Sequence, residues 1–219
     1  MKTSQIVHAT GEVVSECENR ARAERPAASL RSRPAAGALD RETRQLVECF
    51  LEEFVGLAHL RSESEALSTM KRVVGDILTT HTCAYEGMIE ELSLDDSGDD
   101  VRFVGKVANC LFEDGVASWG RVAGFLAFGA AVCRRLNETG RGTLVKPVGC
   151  EISTYLLTHQ TEWLVDNNSW NGFVEFFRVA EPEATSTGAL ETCAKCVGIG
   201  ATLTLLIGIC LTFRRVFVT

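Results

Sequence analysis

Between Val122 and Cys133 the chain reads VAGFLAFGAAVC, twelve residues in succession without a charge. Apolar runs of this length suit helices rather than strands. As a helix the run is about 18 Å long at ~1.5 Å per residue, too short to cross a bilayer unaided. A helix that is apolar on every side has to be surrounded by others. The remainder of the 219-residue chain must therefore supply a shell of amphipathic helices around this one.

The shell is visible in the spacing of apolar residues. Leu39 to Leu57 carries Leu39, Leu46, Val47, Phe50, Leu51 and Phe54 as a stripe of period 3.6, with acids opposite. Ser64 to Leu78 repeats the pattern with Leu67, Met70, Val73, Val74 and Ile77. A shorter helix is predicted from Ala84 to Leu92, stopped by the polar run SLDDSGDD, whose Asp residues can cap the next helix. Val101, Val104, Val107, Ala108, Leu111 and Phe112 lie along one face of that helix. Pro147 suits the first turn of another, whose stripe continues through Ile152, Tyr155 and Leu156. No five-residue stretch of this region alternates as a strand does. The expected fold class is an all-α bundle.

The ends differ in kind. Residues 1–37 mix Arg, Glu, Ser and Ala without an apolar period, and are expected to form a flexible arm before a helical domain at 38–179. Residues 180–195 have the Pro, Ser, Thr and Gly of a linker. From Cys196 to Phe213 run 18 residues without a charge, preceded by Lys195 and followed by Arg214 and Arg215. A helix of that length spans about 27 Å, enough for the hydrocarbon layer, so residues 196–213 are expected to be a transmembrane tail anchor. A short, moderately apolar span with basic flanks suits the mitochondrial outer membrane, the domain facing the cytosol; endoplasmic reticulum and cytosol are the other expected locations.

Composition narrows the chemistry. A net charge of −7 argues against a phosphate-tracking nucleic-acid binder. The nine cysteines are odd in number and scattered, and no apolar leader marks the first thirty residues, so reduced cytosolic thiols are expected. There is no HExxH, no phosphate-cradling glycine loop and no GxSxG. Cys193 and Cys196 form a lone CxxC with no second pair for zinc. No catalytic residue, metal or cofactor is expected, although sequence alone leaves a Cys/His pair open.

Two motifs flank the apolar run. Asp114 to Arg121 reads DGVASWGR, with Phe128-Gly129-Ala130 after it; later come Trp163-Leu164-Val165 and, from Trp170 to Phe177, WNGFVEFF. In this order they resemble the first and second homology motifs of the Bcl-2 family of apoptosis regulators. Together with STYLL at Ser153 to Leu157, their wording is most similar to the myeloid-cell-leukaemia-type survival branch. The resemblance covers Leu39 to Val179 and extends to the apolar carboxy terminus.

The resemblance implies a helical bundle with a hydrophobic surface groove, which receives the amphipathic BH3 helix of a pro-apoptotic partner. Carried over by motif, Arg121 meets the partner's Asp; its planar, permanently charged fork suits a partly buried carboxylate. Gly120 admits the partner backbone. Met88, Leu92, Val107, Leu111 and Phe128 would form the groove floor, with His81 and Tyr85 near one end. Each of these apolar residues read singly is ordinary core. Asp114 either offers the partner a second charge or begins the helix. Trp119, Trp163, Trp170 and Phe173 read as core and groove-end architecture.

Two positions depart from the family pattern. Ser118 stands where the family commonly has Asn, offering one hydroxyl in place of an amide. In the chain's own third motif, Leu67 to Asp76, Gly75 and Asp76 fall five and six residues after Met70 instead of four and five. One residue is a ~100° rotation on a helix, so Leu67 to Leu78 reads as groove wall and not as a ligand for another groove. The function implied is anti-apoptotic: sequestration of BH3 helices, preventing outer-membrane permeabilisation. A pore-forming pro-apoptotic effector of the same family, a tail-anchored enzyme, and a membrane scaffold or transport protein are the competing readings. Expected partners are BH3-bearing proteins and pore-forming effectors of the family, and the membrane.

Overall fold

The structure is a computed structural model and describes residues 33–57, 64–92, 94, 100–178, 202 and 204–208. The chain divides into two units, Met1–Asp40 and Arg41–Thr219. Of the first, only the opening turns of helix α1 are described. The arm before residue 33, the linker at 180–195 and most of the expected anchor at 196–213 lie outside the described residues.

Helix α1 runs from Arg33 to Phe54, starting six residues before Leu39. It stops short of the expected Leu57 because Gly56 takes a left-handed conformation, φ +77°. There the Leu57 N–H donates to Glu52 O at 2.8 Å, closing the helix end. Helix α2, Glu65–Thr80, is capped by Ser64, whose Oγ accepts from Leu67 N at 3.2 Å. Its inner face is Leu67, Met70, Val73, Val74, Ile77 and Leu78. Asp76 is 74% exposed and lies 4.0 Å from Arg72 on the outer face of α2.

His81 ends α2 and begins helix α3, Thr82–Glu91, two residues ahead of the expected Ala84. Helix α4 spans Phe103–Leu111, and just before it Asp100 Oδ1 accepts from Arg102 N at 2.9 Å. The central helix α5 spans Trp119–Glu138, longer than the apolar run within it. All of Val122 to Cys133 is buried, as an all-apolar surface requires. Beyond Cys133 the helix turns amphipathic, which is why the apolar run alone underestimates it.

After a 3-10 turn at Gly142–Leu144 come α6 (Val145–His159), α7 (Thr161–Asp166) and α8 (Ser169–Phe177). Helices α2, α3, α4 and α6 all pack on α5; α2 also meets α8, and α4 meets α6. Helix α6 comes so close to α5 that Ile152 Cδ1 occupies the place where a Cβ on Gly129 would stand. One turn earlier on α6, Gly149 faces Leu51 of α1, and Lys146 bridges Glu48 and Glu52 at 3.1 and 3.3 Å.

An aromatic cluster ties the motifs together. The Trp119 ring lies 4.7 Å from Trp163, 5.6 Å from Phe173 and 6.2 Å from Trp170, centre to centre. Trp170 Nε1 donates to Thr43 Oγ1 at 2.9 Å, so the one polar atom of a buried indole is satisfied. No strand occurs among the described residues, and no helix among them is long and apolar enough to cross a membrane.

Candidate functional site

Ser118 sets the start of α5. Its extended backbone, φ −155° and ψ 155°, leads into the helix, and its Oγ accepts from Arg121 N at 3.2 Å. This serine is therefore an N-cap. Arg121 sits in the first turn, where the positive end of the helix dipole disfavours a cation. Four oxygens of three residues compensate. Nη1 donates to Asp114 Oδ1 at 2.5 Å, to Val116 O at 2.6 Å and to Leu111 O at 3.4 Å, and Nη2 donates to Asp114 Oδ2 at 2.7 Å.

The carboxylate and guanidinium thus meet fork to fork. Asp114 belongs to the turn between α4 and α5, where its Oδ1 also accepts from Val116 N at 3.0 Å and Gly115 takes φ +71°. The Arg121 side chain is only 14% exposed and that of Asp114 52%. Hydrogen bonding from Arg121, and then from the Val116 N–H, holds the Asp114 carboxyl down at about 2. The same contact raises Arg121 above its ordinary value.

Arg121, Gly124 and Phe128 stand at i, i+3 and i+7, so they share a face of α5. Tyr85 of α3 lies across that face: its hydroxyl donates to Gly124 O at 3.3 Å. Met88 lies one turn further along α3, and Val107 and Leu111 are on the inner face of α4. Thr202 and Leu206, from the carboxy-terminal stretch, rest against Gly124. Ile207 joins Met88, Ala84, Gly87 and Cys83 around a cavity of about 280 Å3.

The residues singled out by sequence divide into three groups. Arg121, Asp114 and Ser118 form one hydrogen-bonded cluster at the start of α5, with Gly120 buried beside them. Tyr85 and Met88 of α3, Val107 and Leu111 of α4 and Phe128 of α5 are all buried, and α3 and α4 each pack on α5. Leu92 is half-buried at the end of α3, and His81 is half-buried at the corner where α2 turns into α3. Gly124 is not singled out by sequence; its signal is a missing side chain one turn beyond Arg121 on the same face. Among the described residues, no group of His, Cys, Asp and Glu could hold a metal ion.

Comparison with known proteins bears on this site. The family model described as apoptosis regulator proteins, Bcl-2 family, matches residues 70–170, which takes in α3, α4, α5 and Arg121. Human Bcl-2-like protein 1 is 38% identical over 72 residues, 33% of this chain and 30% of its own. Chicken apoptosis regulator Bcl-2 is 37% identical over 76 residues, 35% of this chain and 32% of its own. The match therefore spans less than a third of the length of these curated relatives. A solved complex of the zebrafish pro-survival protein NRZ with a Bad BH3 peptide superposes with a TM-score of 0.60 at 26% identity, covering 65% of this chain and 97% of that one.

Proposed function

We propose that this chain, which belongs to the Bcl-2 family of apoptosis regulators, is a survival regulator that captures amphipathic BH3 helices of pro-apoptotic proteins along the α3–α4–α5 face and so prevents outer-membrane permeabilisation. The observation that carries the reading is Arg121. Its guanidinium is mostly buried, sits one turn from the apolar stripe of Gly124 and Phe128, and already holds a carboxylate, that of Asp114. A helix laid along the stripe brings its own Asp to the same fork. A mostly buried guanidinium with two backbone carbonyls behind it is rigidly aimed, which favours a planar, two-oxygen ligand over a diffuse negative charge. Support for the survival side comes from the zebrafish pro-survival neighbour and from the second-motif wording FVEFF.

The finer placement in the myeloid-cell-leukaemia-type branch rests on DGVASWGR, STYLL and WNGFVEFF. Location at the mitochondrial outer membrane rests on the charge-free stretch Cys196 to Phe213 and its basic flanks. Replacing Arg214 and Arg215 by Ser should change the organelle reached without abolishing insertion, since apolar length drives insertion and basic flanks bias destination. Cell fractionation that finds the full chain wholly free of membranes would reject this location.

Two measurements test the function together. A panel of amphipathic peptides carrying one Asp is titrated into the full chain, and vesicle leakage caused by a pore-forming family member is monitored with and without it. A survival regulator binds the peptides and suppresses leakage. Leakage produced by the chain itself once activated would assign it to the effector reading instead.

A further inference from the structure

Tyr85, Met88, Val107, Leu111 and Phe128 are fully or almost fully buried, so a partner helix reaches them only when what covers them gives way. Of the two short helices beside α5 there, α4 is backed by α6 as well, whereas α3 rests on α5 and on its chain neighbour α2. Ten residues are too few for a helix to hold its shape unaided, and no side chain caps the start of α3. Two hydrogen bonds tie it to α5 and to the turn that follows α5. Near its start the Tyr85 hydroxyl donates to Gly124 O at 3.3 Å. Just beyond its end the buried Leu94 offers its carbonyl to Arg141 Nη2 at 2.7 Å.

The donor of that second bond is placed without help from α3. Past the last turn of α5, Gly140 takes φ +77° and Arg141 N donates to Leu136 O at 2.7 Å, closing the helix. Asn137 Nδ2 donates to Val55 O at the end of α1, and Asn137 Oδ1 lies 2.8 Å from where a Cβ on Gly142 would stand. We propose that Arg141 is a positioning residue for the α3 wall: it pins the Leu94 carbonyl from the end of α5 opposite Arg121, and so sets how often α3 swings aside for a partner helix. A permanently charged donor suits the task, since its bond to a carbonyl is stronger than that of a neutral one. The gating rests on the proposed capture of partner helices; the pin does not.

Hydrogen exchange on the full chain tests the pin with no peptide present. Arg141→Ala should speed exchange of amides 89–92, the last turn of α3, by roughly tenfold, the loss expected for one hydrogen bond from a charged donor. Amides of α5 should keep wild-type rates. Arg141→Lys, which retains a cationic donor, should return part of the protection. No acceleration at 89–92, equal acceleration throughout α5, or no rescue by Lys overturns the pin, the last because the stem's packing and not the bond would then hold the wall. Stopped-flow mixing with a fluorescent amphipathic peptide bearing one Asp reads the gating. If entry and exit both pass through a rarely open wall, Arg141→Ala should speed association and dissociation alike by roughly tenfold and leave Kd within about twofold. A weaker Kd with unchanged association, as plain structural damage produces, overturns the gating. Faster exchange at 89–92 with no peptide bound by any variant upholds the pin and rejects the proposed function instead.

Discussion

Asp114 and Arg121 face each other fork to fork across the turn that enters α5, Nη1 to Oδ1 at 2.5 Å and Nη2 to Oδ2 at 2.7 Å. The guanidinium is the buried member and the carboxylate the exposed one. Solvent therefore reaches the pair from the Asp114 side. Under the proposed function, a partner's carboxylate would share a cation already neutralised by its own chain, so net affinity would depend on how far Asp114 yields.

The Asp114 carboxyl should titrate at about 2 in the folded protein and return toward the ordinary ~3.9 in Arg121→Ala. Because its folded value lies below its unfolded one, the stability it lends is complete above the unfolded value and is lost as pH falls through about 2. Carboxyl carbon NMR against pH reads both. A midpoint unmoved by Arg121→Ala would assign the depression to the Val116 N–H alone.

Arg121→Ala should weaken binding of a one-Asp peptide by ~2–5 kcal/mol, toward the lower end given the solvent-exposed side of the pair. Arg121→Lys should restore only part, since a point charge cannot reproduce the fork. In the double-mutant cycle, changing the peptide's Asp to Ala should hurt wild type strongly and Arg121→Ala much less. Equal losses in both proteins would disprove the pairing.

Trp170→Phe removes the donor to Thr43 and leaves a buried hydroxyl without that partner. A loss of ~1–3 kcal/mol is expected in denaturant unfolding. Adding Thr43→Val should recover part of it, because the orphaned hydroxyl goes too. Strictly additive effects would show that indole volume, and not the hydrogen bond, matters.

Gly129→Ala should destabilise by ~1–3 kcal/mol despite better helix propensity, because Ile152 Cδ1 already fills the site. Ile152→Val deletes that carbon and should make Gly129→Ala much better tolerated. Thermal melts of the four proteins of the cycle decide this, and no coupling would mean α6 simply moves aside.

Cys83, Cys110 and Cys150 are exposed, whereas burial pushes the Cys133 thiol up to about 12. Alkylation of native protein should modify the first three within minutes and Cys133 only after unfolding, since the thiolate is the reactive form. Mass spectrometry reads the order. Early labelling of Cys133 would show that α5 opens locally.

The helices are legible in sequence wherever one face is apolar and a local signal marks the end. Ser64 caps α2, and the stripe Leu67, Met70, Val73, Val74 and Ile77 points inward as its spacing requires. Sequence is silent where an end depends on a backbone conformation, as at Gly56, or where a helix continues past its apolar run, as α5 does to Glu138. At the candidate site, Arg121, Asp114 and Ser118 stand out by motif, yet nothing in their spacing says that the serine caps the helix while the aspartate grips the arginine.

Twelve uncharged residues in a chain of 219 required a buried central helix and a coat of amphipathic ones, because removing apolar surface from water is a property of composition and period alone. What touches what was decided by tertiary structure. Thr202 reaches Gly124 across 78 positions of sequence, Trp170 reaches Thr43 across 127, and Ile152 fills the place of the side chain that Gly129 lacks. Those contacts depend on the angle and spacing at which whole helices cross, quantities set by the simultaneous packing of every side chain between them, and a period read along one helix does not contain them.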